Sequence, residues 1–181
     1  MIQLIVSDMD GTLLDDKKQL PPKFLQLMEQ LYCRDITFAV ASGRSRIALI
    51  TLFGDAAKDM IFICDNGACV MLPHRDPILK PLCQSAVTKT LNLCKDLSHT
   101  TPVLCGYHHI YFPANAPEDV RTEICRFYQN FRVLPYEEMY QVTEPILKIA
   151  LCNKHTLESR TCPAMFAIFG DSYEQLVSGD C

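Results

Sequence analysis

The chain has 181 residues, 49% of them hydrophobic and 21% charged, with a formal net charge of −4. That length holds one domain, or a small core with an inserted subdomain, and the apolar share excludes a disordered or fibrous chain. The acidic balance argues against nucleic-acid binding, and no apolar run nears the roughly 18 residues of a membrane span.

Met1 leads directly into IQLIV with no basic segment before it, so no secretory leader is expected and the location reads as cytoplasmic. Residues 2–7, IQLIVS, suit a strand buried on both faces of a parallel sheet. Pro21-Pro22 opens a helix in which Phe24, Leu27, Met28 and Leu31 recur at helical spacing. DITFAVAS (35–42) reads as a second buried strand, RSRIALITLFG (44–54) as a helix, and DMIFICDNG (59–67) as a third strand broken at Asn66-Gly67. Strand, helix, strand, helix, strand is the order of a parallel sheet with crossover helices.

After Gly67 the texture changes. ACVMLP (68–73) reads as a short strand, Pro73 to Pro81 as a loop, and 82–97 as a helix with an apolar stripe. TPVLCGYHHIYFPAN (101–115) reads as a strand or hairpin, and 117–131 as a helix with Pro117 in its first turn. PILKIAL (145–151) reads as a strand, 156–169 as a helix despite Pro163, and YEQLVSGD as a final alternating strand. This half is α+β in style rather than βαβ, and the domain boundary falls between 72 and 82. Ten cysteines contain no Cys-x-x-Cys pair and sit mostly in hydrophobic segments, which fits reduced thiols packed as small hydrophobes.

The residues that carry chemistry follow the first strand. IVSDMDGTLLDD (5–16) ends an apolar run on Asp8 and Asp10, two like charges that only a bound cation or a shared reaction reconciles. In a parallel sheet, ligands bind at the carboxyl ends of the strands. Asp8 and Asp10 stand at that end of the first strand and Ser42 at that end of the second. Residues i and i+2 share a face, so both carboxylates can line one cleft. Gly11 lets backbone approach a ligand and Thr12 supplies a hydroxyl. Hard oxygens of this kind suit Mg²⁺, completed by water and phosphate. An aspartate can also attack phosphorus, with a second carboxylate moving the protons. Alone, an Asp-x-Asp is a common solvated pair, Ser42 a helix cap, Arg44 a surface residue and Asn66-Gly67 a turn; their placement at successive strand ends sets them apart.

The segment IVSDMDGTLLDD is similar to the first signature of the haloacid dehalogenase (HAD) superfamily of phosphohydrolases. FAVASGR (38–44) resembles the second, and ICDNGACV (63–70) resembles a segment of the Cof-type members, which carry an α/β cap between the second and third signatures. The resemblance implies a parallel Rossmann-like α/β core over residues 1–76 and an inserted α+β cap over 77–181. It makes Asp8 the nucleophile and a Mg²⁺ ligand, and Asp10 the general acid/base and a second ligand. Ser42 holds the phosphoryl group, with Gly11, Thr12, Gly43, Arg44 and Asn66 as further phosphate-binding positions. The implied activity is a Mg²⁺-dependent phosphatase of small phosphorylated metabolites, of sugar phosphate or pyridoxal phosphate type.

The family also needs a lysine and a later acidic segment for the metal, both after the cap. FAIFGDSYEQL (166–176) offers Asp171, preceded by Lys148 or Lys154, but only ten residues follow Asp171. The expectation is therefore an incomplete core lacking its C-terminal segment, with impaired catalysis and an uncovered sheet edge that a homodimer would cover. The alternative is a non-catalytic HAD-like domain that binds Mg²⁺, phosphate or a partner. A signalling receiver domain fits poorly, because Asp65 would be its sole acceptor and the second half would have no counterpart. GYHHIYF (106–112) offers His108 and His109 as candidate pocket residues, of which alternation along a strand turns at most one inward.

Overall fold

The computed structural model describes residues 2–97, 99–153 and 157–177. The chain divides into two compact units, Met1–Lys80 and Pro81–Cys181. In the first, β1 (Leu4–Asp8), α1 (Phe24–Tyr32), β2 (Thr37–Ala41), α2 (Arg46–Phe53) and β3 (Ile61–Cys64) alternate as the apolar runs predict. The three strands are parallel, with Asp8 beside Ala41 and Ala41 beside Ile63. β4 (Cys69–Met71) runs antiparallel to β3, and β5 (Ile78–Leu79) antiparallel to β4, giving the order β1-β2-β3-β4-β5. β5 lies in a segment expected to be loop.

Alternation along the strands assigns the two faces of this sheet. Phe38, Val40, Phe62 and Cys64 are buried on one face. There Phe24 of α1 meets Phe38 and Phe53 edge-on at centroid distances of 5.8 and 5.4 Å, and Phe53 of α2 meets Phe62 at 5.3 Å. The opposite face differs from the sequence expectation. Leu4 and Val6 of β1 are 50% and 53% exposed, and among the described residues β1 is an edge strand that pairs with β2. α1 starts at Phe24 rather than at the prolines; it buries Phe24 and Leu31 but leaves Leu27 exposed.

The second unit contains α3 (Gln84–Asp96), β6 (Thr101–Gly106), β7 (Ile110–Pro113), α4 (Glu118–Phe127), β8 (Phe131–Leu134), β9 (Ile146–Cys152) and α5 (Cys162–Phe169). Its sheet has the order β8-β7-β6-β9. β6 is antiparallel to both β7 and β9, whereas β7 and β8 are parallel. The helix expected to reach residue 131 stops at Phe127, and Phe131 opens β8, so β7, α4 and β8 form one βαβ crossover in a half expected to have none. Val103, Cys105, Ile110, Phe112, Val120 and Ile124 pack as one cluster, and Val87, Leu91, Leu104, Tyr111, Met139 and Ile146 as another. α5 accommodates Pro163 in its first turn, where a missing N–H breaks no helical bond. The expected final strand does not form over residues 173–177; its remaining positions lie outside the described residues.

Cys64, Cys69, Cys94, Cys105 and Cys152 are buried free thiols, as the hydrophobic segments suggest, whereas Cys33, Cys83 and Cys125 are exposed. Among the described residues no helix is long and apolar enough to cross a membrane. The two sheet faces of the first unit predict unequal mutational costs. Phe62→Ala should remove about 3–5 kcal/mol in urea unfolding, the usual cost of emptying a packed aromatic site. Leu4→Ala should cost less than about 1 kcal/mol. Equal losses would mean that the Leu4 face is covered in solution.

Candidate active site

The β1, β2 and β3 strands end side by side, and the loops that follow them surround a cavity of about 350 Å³. Asp8, Ala41, Ser42, Gly43, Ile63, Asn66 and Gly67 line it. Parallel register produces this convergence. Ser42, one residue past β2, donates its N–H to the Ile63 carbonyl at 2.9 Å, and the Asn66 N–H returns to the Ser42 carbonyl at 3.3 Å. The Ser42 hydroxyl accepts the Arg44 N–H at 3.1 Å, and the Arg44 carbonyl accepts the Asp65 N–H at 3.0 Å. These bonds tie the loop after β2 to the turn after β3.

That turn is tight. Asp65, Asn66 and Gly67 all have positive φ, at 48°, 57° and 92°, a conformation that glycine adopts freely and Asn or Asp at small cost. It brings Asn66 against Gly43, where a Cβ would lie 2.6 Å from Asn66 Oδ1. Only glycine fits at position 43 without displacing that side chain.

Of the expected catalytic and metal residues, Asp8 lines the cavity and Asp10 does not; of the expected phosphate-binding residues, Ser42, Gly43 and Asn66 line it, whereas Gly11, Thr12 and Arg44 do not. Gly11 (φ 78°) and Thr12 lie in the exposed turn Met9–Leu13. Met9 is fully buried between the two acids, so Asp8 and Asp10 both stay at the surface.

Asp10 is held by two cations. Arg44 grips it with two hydrogen bonds, Nε to Oδ2 at 3.1 Å and Nη2 to Oδ1 at 2.9 Å, and Lys18 Nζ reaches Oδ1 at 2.9 Å. Partial burial pushes the carboxyl up, but the hydrogen bonds and charges of Arg44 and Lys18 outweigh it and hold Asp10 below the usual carboxylate range.

Lys18 is a residue that sequence reasoning missed. It has φ 60°, unusual for a long side chain, and the loop around it is built on Asp15. The Asp15 carboxylate accepts the N–H groups of Lys17 and Gln19 at 2.9 and 2.8 Å. Its carbonyl takes the Lys18 N–H at 2.9 Å, and its own N–H meets the Gln19 carbonyl at 3.1 Å. The available signal was DDKKQ itself, an Asp poised to bond backbone just ahead of two lysines.

Asp8 and Asp10 provide hard oxygen donors of the kind magnesium takes, one or two carboxylates with water and phosphate filling the rest. Among the described residues no cluster of three or more His, Cys, Asp or Glu is placed to hold a metal, so the set fits such an ion at its minimum.

The other sequence candidates lie in the second unit. Lys148 is on β9 opposite Cys105, Asp171 is in the short turn 170–172, and Lys154 lies outside the described residues. His108 and His109 form the β6–β7 turn, which Glu144 organises. The Glu144 carboxylate accepts the His108 N–H at 2.5 Å and the His109 N–H at 3.3 Å, pairs with His109 Nδ1 at 3.1 Å, and accepts the Tyr111 hydroxyl. His109 is thus turned toward Glu144, and His108 is exposed.

Comparison with known proteins places the chain in a family. The profile of the haloacid dehalogenase-like hydrolases matches residues 5–178. A 5-amino-6-(5-phospho-D-ribitylamino)uracil phosphatase of Escherichia coli is 25% identical over 99% of this chain and 66% of its own length. An HMP-PP phosphatase of an Enterobacter species is 39% identical over 37% of this chain and 25% of its own. The crystal structure of the HAD subclass IIB sugar phosphatase BT4131 superposes with a TM-score of 0.70 at 19% identity, covering 90% of this chain and 63% of that one. The chain belongs to the haloacid dehalogenase-like hydrolases and spans about two thirds of the length of relatives it matches from end to end.

Two predictions come from this geometry. Gly43→Ala should displace the Asn66 side chain from its place at the cavity, read as a shift of its side-chain amide resonances in NMR spectra; unmoved resonances would mean that the site relaxes elsewhere. The lowered Asp10 carboxyl adds stability that is complete above the unfolded pKa of about 3.9 and is lost as pH falls through the lowered folded value. Arg44→Met should therefore flatten the loss of urea resistance below about pH 4; an unchanged acid limb would mean that the pair contributes nothing to folding.

Proposed function

We propose that this chain carries the phosphoryl-transfer site of a Mg²⁺-dependent phosphatase of small phosphorylated metabolites. The observation that carries the reading is the meeting of Asp8, Ser42 and Asn66 on one cavity, with Asp10 two residues away. Residues 1–76 are its core portion and 77–181 an α+β cap, with Lys148 and Asp171 as cap residues. The family resemblance also calls for a charge-offsetting lysine and further metal acids, and no lysine lines the cavity among the described residues. The relatives' names point to phosphate esters of small polar metabolites, including a ribityl phosphate and a sugar phosphate.

In this reading a phosphate ester places its phosphoryl group at Ser42 and Asn66, and an Asp8 carboxylate oxygen attacks phosphorus. The bond to the leaving oxygen breaks as Asp10 gives that oxygen a proton. Water then attacks the aspartyl-phosphate, Asp10 takes the proton, and phosphate departs. Magnesium, when bound by the Asp8 carboxylate and by Asp10, supplies charge neutralisation on the phosphoryl oxygens.

Asp10 cannot donate a proton while Arg44 and Lys18 keep it ionised. A phosphate dianion competes for those cations and sets its own negative charge beside Asp10, and both effects raise the carboxyl and favour its protonated form. Arg44 and Lys18 thus act twice, as phosphate ligands and as a brake on Asp10 in the empty site.

The test is hydrolysis of p-nitrophenyl phosphate by the chain with and without Mg²⁺, beside Asp8→Asn and Arg44→Met. Metal-dependent turnover that Asp8→Asn abolishes and Arg44→Met lowers about 10–100-fold, the worth of a charged hydrogen bond, supports the reading. With no lysine in the cavity lining, a rate about 10²–10³-fold below that of a site holding such a donor is expected. Orthophosphate binding with no turnover at any Mg²⁺ concentration would favour a non-catalytic phosphate-binding domain. Turnover that survives Asp8→Asn would overturn the assignment of Asp8.

A further inference from the structure

Two of the buried cysteines face each other across the hairpin that carries the phosphate-facing turn. Cys64 ends β3, Cys69 opens β4, and the register pairs them directly. Both are fully buried. Directly opposed residues of an antiparallel pair place their side chains on the same face, with Cα atoms about 4.5–5.5 Å apart, inside the range that a disulfide spans. Between them run Asp65, Asn66 and Gly67 in left-handed conformation, and Asn66 and Gly67 line the cavity.

We propose that Cys64 and Cys69 are an oxidisable pair, closed by hydroperoxides into a disulfide at the base of the Asp65–Gly67 turn. The pair is chemically asymmetric. The Cys64 thiol hydrogen-bonds Cys69, and this bond together with burial pushes Cys64 well above the ordinary thiol range; accepting the bond lowers Cys69. Cys69 also lies on β4, the strand beside the two-residue β5 and so the sulfur that local opening reaches first, which makes it the attacking one. Its thiolate attacks one peroxide oxygen, the O–O bond breaks, and after proton uptake the products are a sulfenic acid and water. The Cys64 sulfur then attacks the Cys69 sulfur, loses its proton, and displaces the hydroxyl as a second water. Two thiols are oxidised by two electrons and one hydrogen peroxide is reduced to two waters.

Access is by local opening. β4 is held on its outer side only by the two-residue β5, and short edge elements open at small free-energy cost. Hydrogen peroxide is small enough to enter there, whereas the exposed thiols of Cys33, Cys83 and Cys125 provide an internal comparison in the same chain.

The test is mass spectrometry of the tryptic peptide 59–75 after brief exposure of the folded chain to hydrogen peroxide. The expected result is a peptide lighter by two hydrogens that no longer takes up iodoacetamide and recovers both thiols on reduction. In Cys64→Ala the same treatment should leave a sulfenic acid on Cys69 that dimedone captures, which needs no disulfide to form. Alkylation of both Cys64 and Cys69 after peroxide treatment that oxidises Cys33, Cys83 and Cys125 would overturn the proposal. So would a disulfide joining Cys69 to any cysteine but Cys64.

Discussion

The site depends on the register of three parallel strands. Asp8 lies beside Ala41 and Ala41 beside Ile63, so the chain leaves β1, β2 and β3 at nearly one level. Each exit carries a polar residue: Asp8, Ser42 one residue on, and Asn66 two residues past Cys64. A shift of one residue in any of the three would turn its side chains to the other face, and Asp8 would leave the cavity. The aromatic contacts of Phe24, Phe53 and Phe62 hold that register from the helical side, which links core packing to the placement of polar groups about a strand's length away.

Electrostatics add a second layer. Asp10 sits beside Asp8 in sequence, yet its negative charge is answered by Arg44 from the loop after β2 and by Lys18 from a loop that Asp15 stabilises. Burial of Met9 between the two acids keeps both at the surface. The site is thereby balanced in the absence of any ligand, and an incoming anion meets cations that are already positioned but engaged.

The strand and helix order of the first unit was legible because alternating apolar runs and glycine stops are local signals. The polar residues of the cavity were legible too, since strand-end position and residue type are both written in the chain. What escaped was set by neighbours rather than by local pattern. The exposure of Leu4 and Val6 depends on what packs over that face of β1, which the run IQLIVS does not encode. Phe131 reads as the tail of a helix until β7 is present to pair with it. Lys18 matters because a left-handed turn aims it, although it stands two residues past the segment 5–16, and Glu144 because the β6–β7 turn folds around its carboxylate, away from any recognisable motif.

The uncovered strand has a consequence for how sharply the site is held. β1 carries Asp8 at its last position, and among the described residues its hydrogen-bonding partner is β2 on one side only. No strand among the described residues pairs with its other side, so this strand has fewer restraints on its breathing than β2, which is clamped on both flanks. The positional spread of the Asp8 carboxylate is then inherited from an edge rather than from an interior. Anything that zips along that edge narrows the spread without touching the cavity, which makes the strand's free flank a remote handle on the sharpness of the reacting geometry.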